Sequence, residues 1–149
     1  MAPSHVIDQA AKAHDYLYLG VNIQYERVAE RLLNDPRKAD WHTEIAADLR
    51  KRNRFAVTSL SDQAGYNWSR KPSGAMFLFP DVSGYAERIP QAFRREGEAT
   101  GNTVARFLLE ERKVAVVPGS VYGQQGDNHI RLVLCTPQDV FNAAIERML

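Results

Sequence analysis

The chain has 149 residues, of which 44% are apolar and 25% charged, and carries a net charge of +1. That is material for one domain with a real core. The near-neutral balance gives no general basis for binding nucleic acid or an anionic membrane, and no apolar run approaches bilayer length. Met1–Gln9 has neither the charge nor the apolar centre of a signal peptide. The single cysteine, Cys135, cannot form an intrachain disulfide and argues against a cysteine-based zinc site, so a reducing cytoplasm is the expected setting.

In chain order, Ser4 to Tyr18 places Val6, Ile7, Ala10, Ala11 and His14 at helical spacing, with Ser4 as the expected N-cap and Gly20 as the stop. Asn22 opens a second amphipathic helix marked by Ile23, Val28, Leu32 and Leu33 and ended by NDPRK. A longer helix is expected from Trp41 to Leu60, with Ile45, Leu49 and Val57 as its stripe and RKRNR as a solvated middle. A turn-rich stretch with Gly74 as its tight turn leads to AMFLF, a short strand closed by Pro80. Asp81 to Asn102 reads as a loop containing a helical turn, and Thr103 to Arg112 as a helix.

Val114–Val117 and Ile130–Leu134 read as strands. About a dozen residues without helical pattern join them, so they are expected to pair antiparallel. The last helix is signposted by Thr136 as N-cap and Pro137 in its first turn, with Val140, Phe141, Ala144, Ile145 and Met148 forming its apolar face. The expected fold is α+β: a small mixed or antiparallel sheet covered by helices and preceded by a helical arm. The arm is taken as residues 1–35 and the sheet-bearing domain as residues 36–149.

One residue stands out. Arg131 lies inside the second apolar run, and a guanidinium keeps its charge, so burying it without an anion is costly. An ion pair with Asp127 or Glu111 would satisfy it; so would an anion bound from outside the chain. His129, two residues away, could line the same pocket, while His5, His14 and His42 show no metal-ligand spacing. GSVYGQQG lacks the Lys-Ser/Thr ending of a P-loop.

KPSGAMFLFPDVS (Lys71–Ser83), FLLEERKVAVVPGSVYG (Phe107–Gly123) and HIRLVLCTPQDVFNAAIERM (His129–Met148) occur in this order. Together they resemble the carboxy-terminal small domain of the class I/II, fold-type I, pyridoxal-phosphate-dependent aminotransferases. With the early AAKAHDYLYLGVNIQYERVAERLL the likeness covers nearly the whole chain.

The resemblance implies that Arg131 binds the α-carboxylate of an amino-acid or 2-oxo-acid substrate. It places Tyr122 and Gly119 near the substrate pocket and Asn22 at a polar turn reaching toward a neighbouring subunit's cofactor, where the family's Ser/Thr-Pro is absent. The family's cofactor-binding lysine belongs to a large domain. Lys12, Lys38, Lys51, Lys71 and Lys113 do not stand in that lysine's sequence context, so no catalytic residue is assigned here. Pyridoxal phosphate is implied by the family but is not expected to be held by this chain alone.

Matched to the family, the chain begins near the small-domain boundary and is expected to be a truncated or split chain. The expected partners are a lysine-bearing large-domain chain and a second copy in a homo-oligomer, with Val6, Ile7, Ala10, Leu17 and Leu19 uncovered when the large domain is missing. The rival expectation is a non-catalytic module that kept the carboxylate site or the helical interface. Transaminase activity on mixing with the lysine-bearing partner separates the two.

Overall fold

The computed structural model describes residues 2–18, 20 and 22–149. It divides into two compact units, Met1–Thr43 and Glu44–Leu149. The first contains α1 (Ser4–Leu17), α2 (Ile23–Leu33) and the first turns of α3 (Lys38–Ser59). Ser4 is already helical: Pro3 holds the cap position and supplies no side-chain acceptor. Asn22 does cap α2, its Oδ1 accepting the Gln24 N–H at 2.9 Å. No described residue of α1 or α2 is buried. Val6, Ile7, Ala10 and Leu17 are exposed, and Leu19 lies outside the described residues.

The second unit carries the sheet. Strands β1 (Phe77–Leu78), β2 (Val117–Pro118) and β3 (Ile130–Val133) pair antiparallel in the order β1-β3-β2. Phe77 faces Val133 and Leu78 faces Leu132 on one side of β3; Val117 faces Arg131 and Pro118 faces Ile130 on the other. Strand side chains alternate between faces. Ile130 and Leu132 therefore enter the core, while Arg131 and Val133 point away from it.

That core joins Ala56 and Leu60 of α3, Val104, Phe107 and Leu108 of α5 (Thr100–Glu110), and Phe141 and Ile145 of α6 (Gln138–Arg147). Each of these side chains larger than alanine, fully buried, stabilises the fold by roughly 1.5–3 kcal/mol. Tyr66 is also buried; its hydroxyl donates to the Met148 carbonyl at 3.0 Å, and burial pushes the phenol far above its ordinary value.

Local chemistry moves several expected boundaries. The RKRNR segment is not simply solvated. Asn53 is buried, and Arg52 pairs with Asp48 at 2.7 Å and donates to the Leu134 carbonyl at 3.0 Å and to that of Thr136. Ile45 is exposed, whereas Leu49 and Val57 pack against the core. The tight turn before β1 falls on Ala75, at φ 71°, rather than on Gly74.

The expected strand at Val114 is mostly not paired. Lys113 adopts φ 57° and the Val114 N–H donates back to Leu108 at 2.9 Å, so closure of α5 takes that residue away from the sheet. Between β1 and α5 the chain forms α4 (Ser83–Ala86) and a short turn at Gln91–Phe93, and α5 starts three residues earlier than Thr103. At α6, Pro137 rather than Thr136 occupies the N-cap position, and no side-chain bond closes the helix there because a proline ring carries no acceptor.

Candidate functional site

The outer face of β3 is where charge and aromatic surface meet. The antiparallel register carries on past the paired strands: Phe79 comes opposite Arg131, and Asp81 bridges to His129. Alternation places His129, Arg131 and Val133 on one face with Phe77 and Phe79 beside them.

The Arg131 guanidinium carbon lies 4.7 Å from the Phe77 ring centre and 5.2 Å from that of Tyr122. Such cation–ring contacts are worth about 0.5–2 kcal/mol each, and they orient a planar cation without neutralising it. Neither Asp127 nor Glu111 pairs with Arg131 among the described residues. The Asp127 carbonyl instead accepts the Gly101 N–H at 2.7 Å. Arg131 Nε is buried and makes no hydrogen bond within the described residues, and His129 Nδ1 shares that condition. Among the described residues, both orphaned buried side-chain atoms thus come from one face of β3 and the bridge residue just before it.

The rings form a connected set. His129 stacks on Phe79 at 4.9 Å with 9° between planes, and Phe79 meets Tyr122 edge-on at 6.0 Å. Gly119 explains how closely this region packs. Its N–H donates to the His129 carbonyl at 2.8 Å, and a Cβ there would sit 2.9 Å from the Phe79 ring and against the Gly126 carbonyl. Ser120 ties the same loop to α5 through a 2.6 Å bond to Asn102.

The structure therefore gathers Arg131, Tyr122 and Gly119. Gly119 acts through its lack of a side chain, and Tyr122 is half exposed beside the guanidinium. Asn22 belongs to the first unit, where its side chain serves as the α2 cap. Sequence reasoning missed Phe77 and Phe79 as site residues; their alternation within AMFLF was the available signal, but only pairing with β3 puts them beside Arg131.

Along the edge formed by Val114–Val117, an apolar cleft of about 450 Å³ opens between that segment and α6, with Lys113 and Arg131 among its lining residues. Lys113 Nζ already donates to the Glu110 carbonyl at 2.6 Å. The donor set around the rings, a planar guanidinium, fits a carboxylate. It supplies no lysine to anchor an aldehyde cofactor, and no group of three or more metal-ligating side chains occurs among the described residues.

Residues 1–148 match the family model "Aminotransferase class I and II". An aspartate aminotransferase of Pyrococcus horikoshii is 25% identical over 99% of this chain and 34% of its own length. A probable aspartate/prephenate aminotransferase of Aquifex aeolicus is 37% identical over 63% of this chain and 21% of its own. Among solved structures, an aromatic aminotransferase from Pyrococcus horikoshii superposes with a TM-score of 0.78 at 25% identity, covering 99% of this chain and 36% of that one. The chain thus spans about a third of the length of such relatives. Its antiparallel three-stranded sheet covered by helices is an α+β fold like that of the aminotransferase small domain. The chain belongs to the class I and II aminotransferase family.

Proposed function

We propose that this chain is the small-domain portion of a pyridoxal-phosphate-dependent amino-acid aminotransferase and that Arg131 binds the substrate's α-carboxylate. The observation that carries the reading is a guanidinium on the open face of β3, oriented by two rings and without an acidic partner among the described residues. Pyridoxal phosphate, held in the family by a lysine of the large domain, supplies the electron sink for amino-group transfer.

This chain's contribution is positioning. The Arg131 fork fixes the two carboxylate oxygens and thereby the direction of the α-amino group. Phe77 and Tyr122 shield the guanidinium's flanks from water, which strengthens the ion pair. Gly119 lets the loop after β2 approach closely enough to hold Tyr122 in place. Residues 1–35 serve as an interface segment and residues 36–149 as the small domain, with a lysine-bearing large domain, joined or separate, completing the enzyme. The relatives are named for aspartate, prephenate, alanine and aromatic amino acids, so the reading is confined to amino acids and 2-oxo acids as a class.

The test begins in the native host. The protein is purified, reduced with borohydride and weighed by mass spectrometry. A pyridoxyl-lysine on a peptide contiguous with this chain, or on one that co-purifies with it, is expected. In that enzyme Arg131→Ala and Arg131→Lys should each raise the amino-acid KM about a hundredfold or more, because lysine keeps the charge but not the fork. Absence of the pyridoxyl label, or an unchanged KM in both variants, would remove the proposal.

A further inference from the structure

The two rings that touch Arg131 do not stand alone, and what holds them leads back to β3. Tyr122 ends a short turn and is half exposed, so its plane depends on its edge contact with Phe79. Phe79 is itself partly exposed, and it stacks in parallel on the His129 imidazole. His129 is fixed by backbone on two sides: its N–H donates to the Gly126 carbonyl at 2.8 Å, and its carbonyl accepts the Gly119 N–H at 2.8 Å. Nδ1 makes no hydrogen bond among the described residues. What His129 offers this cluster is therefore its ring face, anchored to a rigid loop.

We infer that His129 is a positioning residue for Arg131, acting through Phe79 and Tyr122 to set the plane in which the guanidinium meets a carboxylate. The inference rests on the reading of Arg131 as a carboxylate site. A flat fork recognises a flat anion only in a matching plane, so a floor that fixes this plane lowers the ordering cost of binding. The sequence of contacts also explains a histidine whose Nδ1 is buried unbonded: it is retained for shape rather than for proton transfer.

The full 149-residue chain, labelled with ¹⁵N, gives a readout that needs no cofactor. The Nε–H resonance of Arg131 is followed in the wild type, in His129→Ala, in His129→Phe and in Arg131→Ala, which assigns the signal. Thermal melts run alongside show that each variant folds. In the wild type the signal should lie upfield through ring currents and be slow to exchange, and it should shift on titration with glutarate, used as the carboxylate probe.

His129→Ala should move the Nε–H signal downfield, speed its exchange and weaken glutarate binding about three- to tenfold, the scale of one aromatic pair. His129→Phe should restore all three. A His129→Ala chain with wild-type signal and affinity overturns the inference and leaves the carboxylate reading standing. A His129→Phe chain that behaves like His129→Ala overturns the role of the ring face. Absence of any glutarate response in the wild type overturns the carboxylate reading instead, while the ring-current shift still tests whether His129 orients the guanidinium.

Discussion

Arg131 on β3 and Gly119 in the turn just after β2 matter for opposite reasons, one for what its side chain carries and the other for having none. Arg131 was legible from sequence because a permanent charge inside an apolar run demands an explanation. Its surroundings were not, because Phe77 and Phe79 reach it through a strand pairing about 50 residues away in sequence. His129 was legible as a neighbour but not as a stacking partner, since alternation along β3 says nothing of which ring lies across from it. Gly119 gives a direct check. Gly119→Ala should destabilise the protein by about 1–3 kcal/mol, because the neighbours of the new methyl group include backbone that cannot yield. Denaturant midpoints measure this, and a neutral substitution would show that the loop has room the structure does not suggest.

At the level of elements, the clearest helices were found from periodicity, but what crosses between them was hidden. Arg52 sits on a helix whose charged middle reads as solvent-facing, yet its side chain is only 13% exposed and straps α3 to the segment between β3 and α6. Arg52→Ala should cost about 1–3 kcal/mol in unfolding free energy by leaving the carbonyls of Leu134 and Thr136 without their donor. Arg52→Lys should recover only part of that loss, since one ammonium lacks the planar fork.

The early start of α5 was masked by its composition, as Gly101 and Asn102 read as loop. The structure uses that glycine's missing side chain to bring the helix against the 127–129 backbone, where its N–H finds the Asp127 carbonyl. Glu98, just before α5, gives a pH prediction. Burial alone would raise its carboxyl, but bonds from Thr103 and Arg106 outweigh this and hold it below its ordinary 4.5. Its stabilisation is therefore present above about that value and is lost as pH falls through the lower folded value. Glu98→Gln should cost about 1 kcal/mol at pH 7 and almost nothing in strong acid, read from melts at both; a constant penalty would mean the charge is irrelevant.

Taken whole, the protein is two units of unequal self-sufficiency. The sheet-bearing unit has a shared core of helices and strands, whereas α1 and α2, of 14 and 11 residues, have no buried residue between them among those described. Helices of that length without packing are marginal in water. Hydrogen exchange should accordingly find the amides of α1 and α2 orders of magnitude less protected than those of α5 and β3. Equal protection in the chain by itself would show that the arm is held by contacts of its own.

The alternation along β3 has one more result. Sliding that strand by a single residue would turn Arg131 into the core and Ile130 and Leu132 out to water, because the side-chain period is two. The penalty is borne by charge and by apolar surface together, so a mispaired copy is both unstable and unable to present its guanidinium. The tight Gly119–Gly126–His129 backbone contacts in the β2–β3 connection set that alignment. Folding thereby proofreads charge placement: a molecule that passes the test of burying its core has already placed its arginine outward.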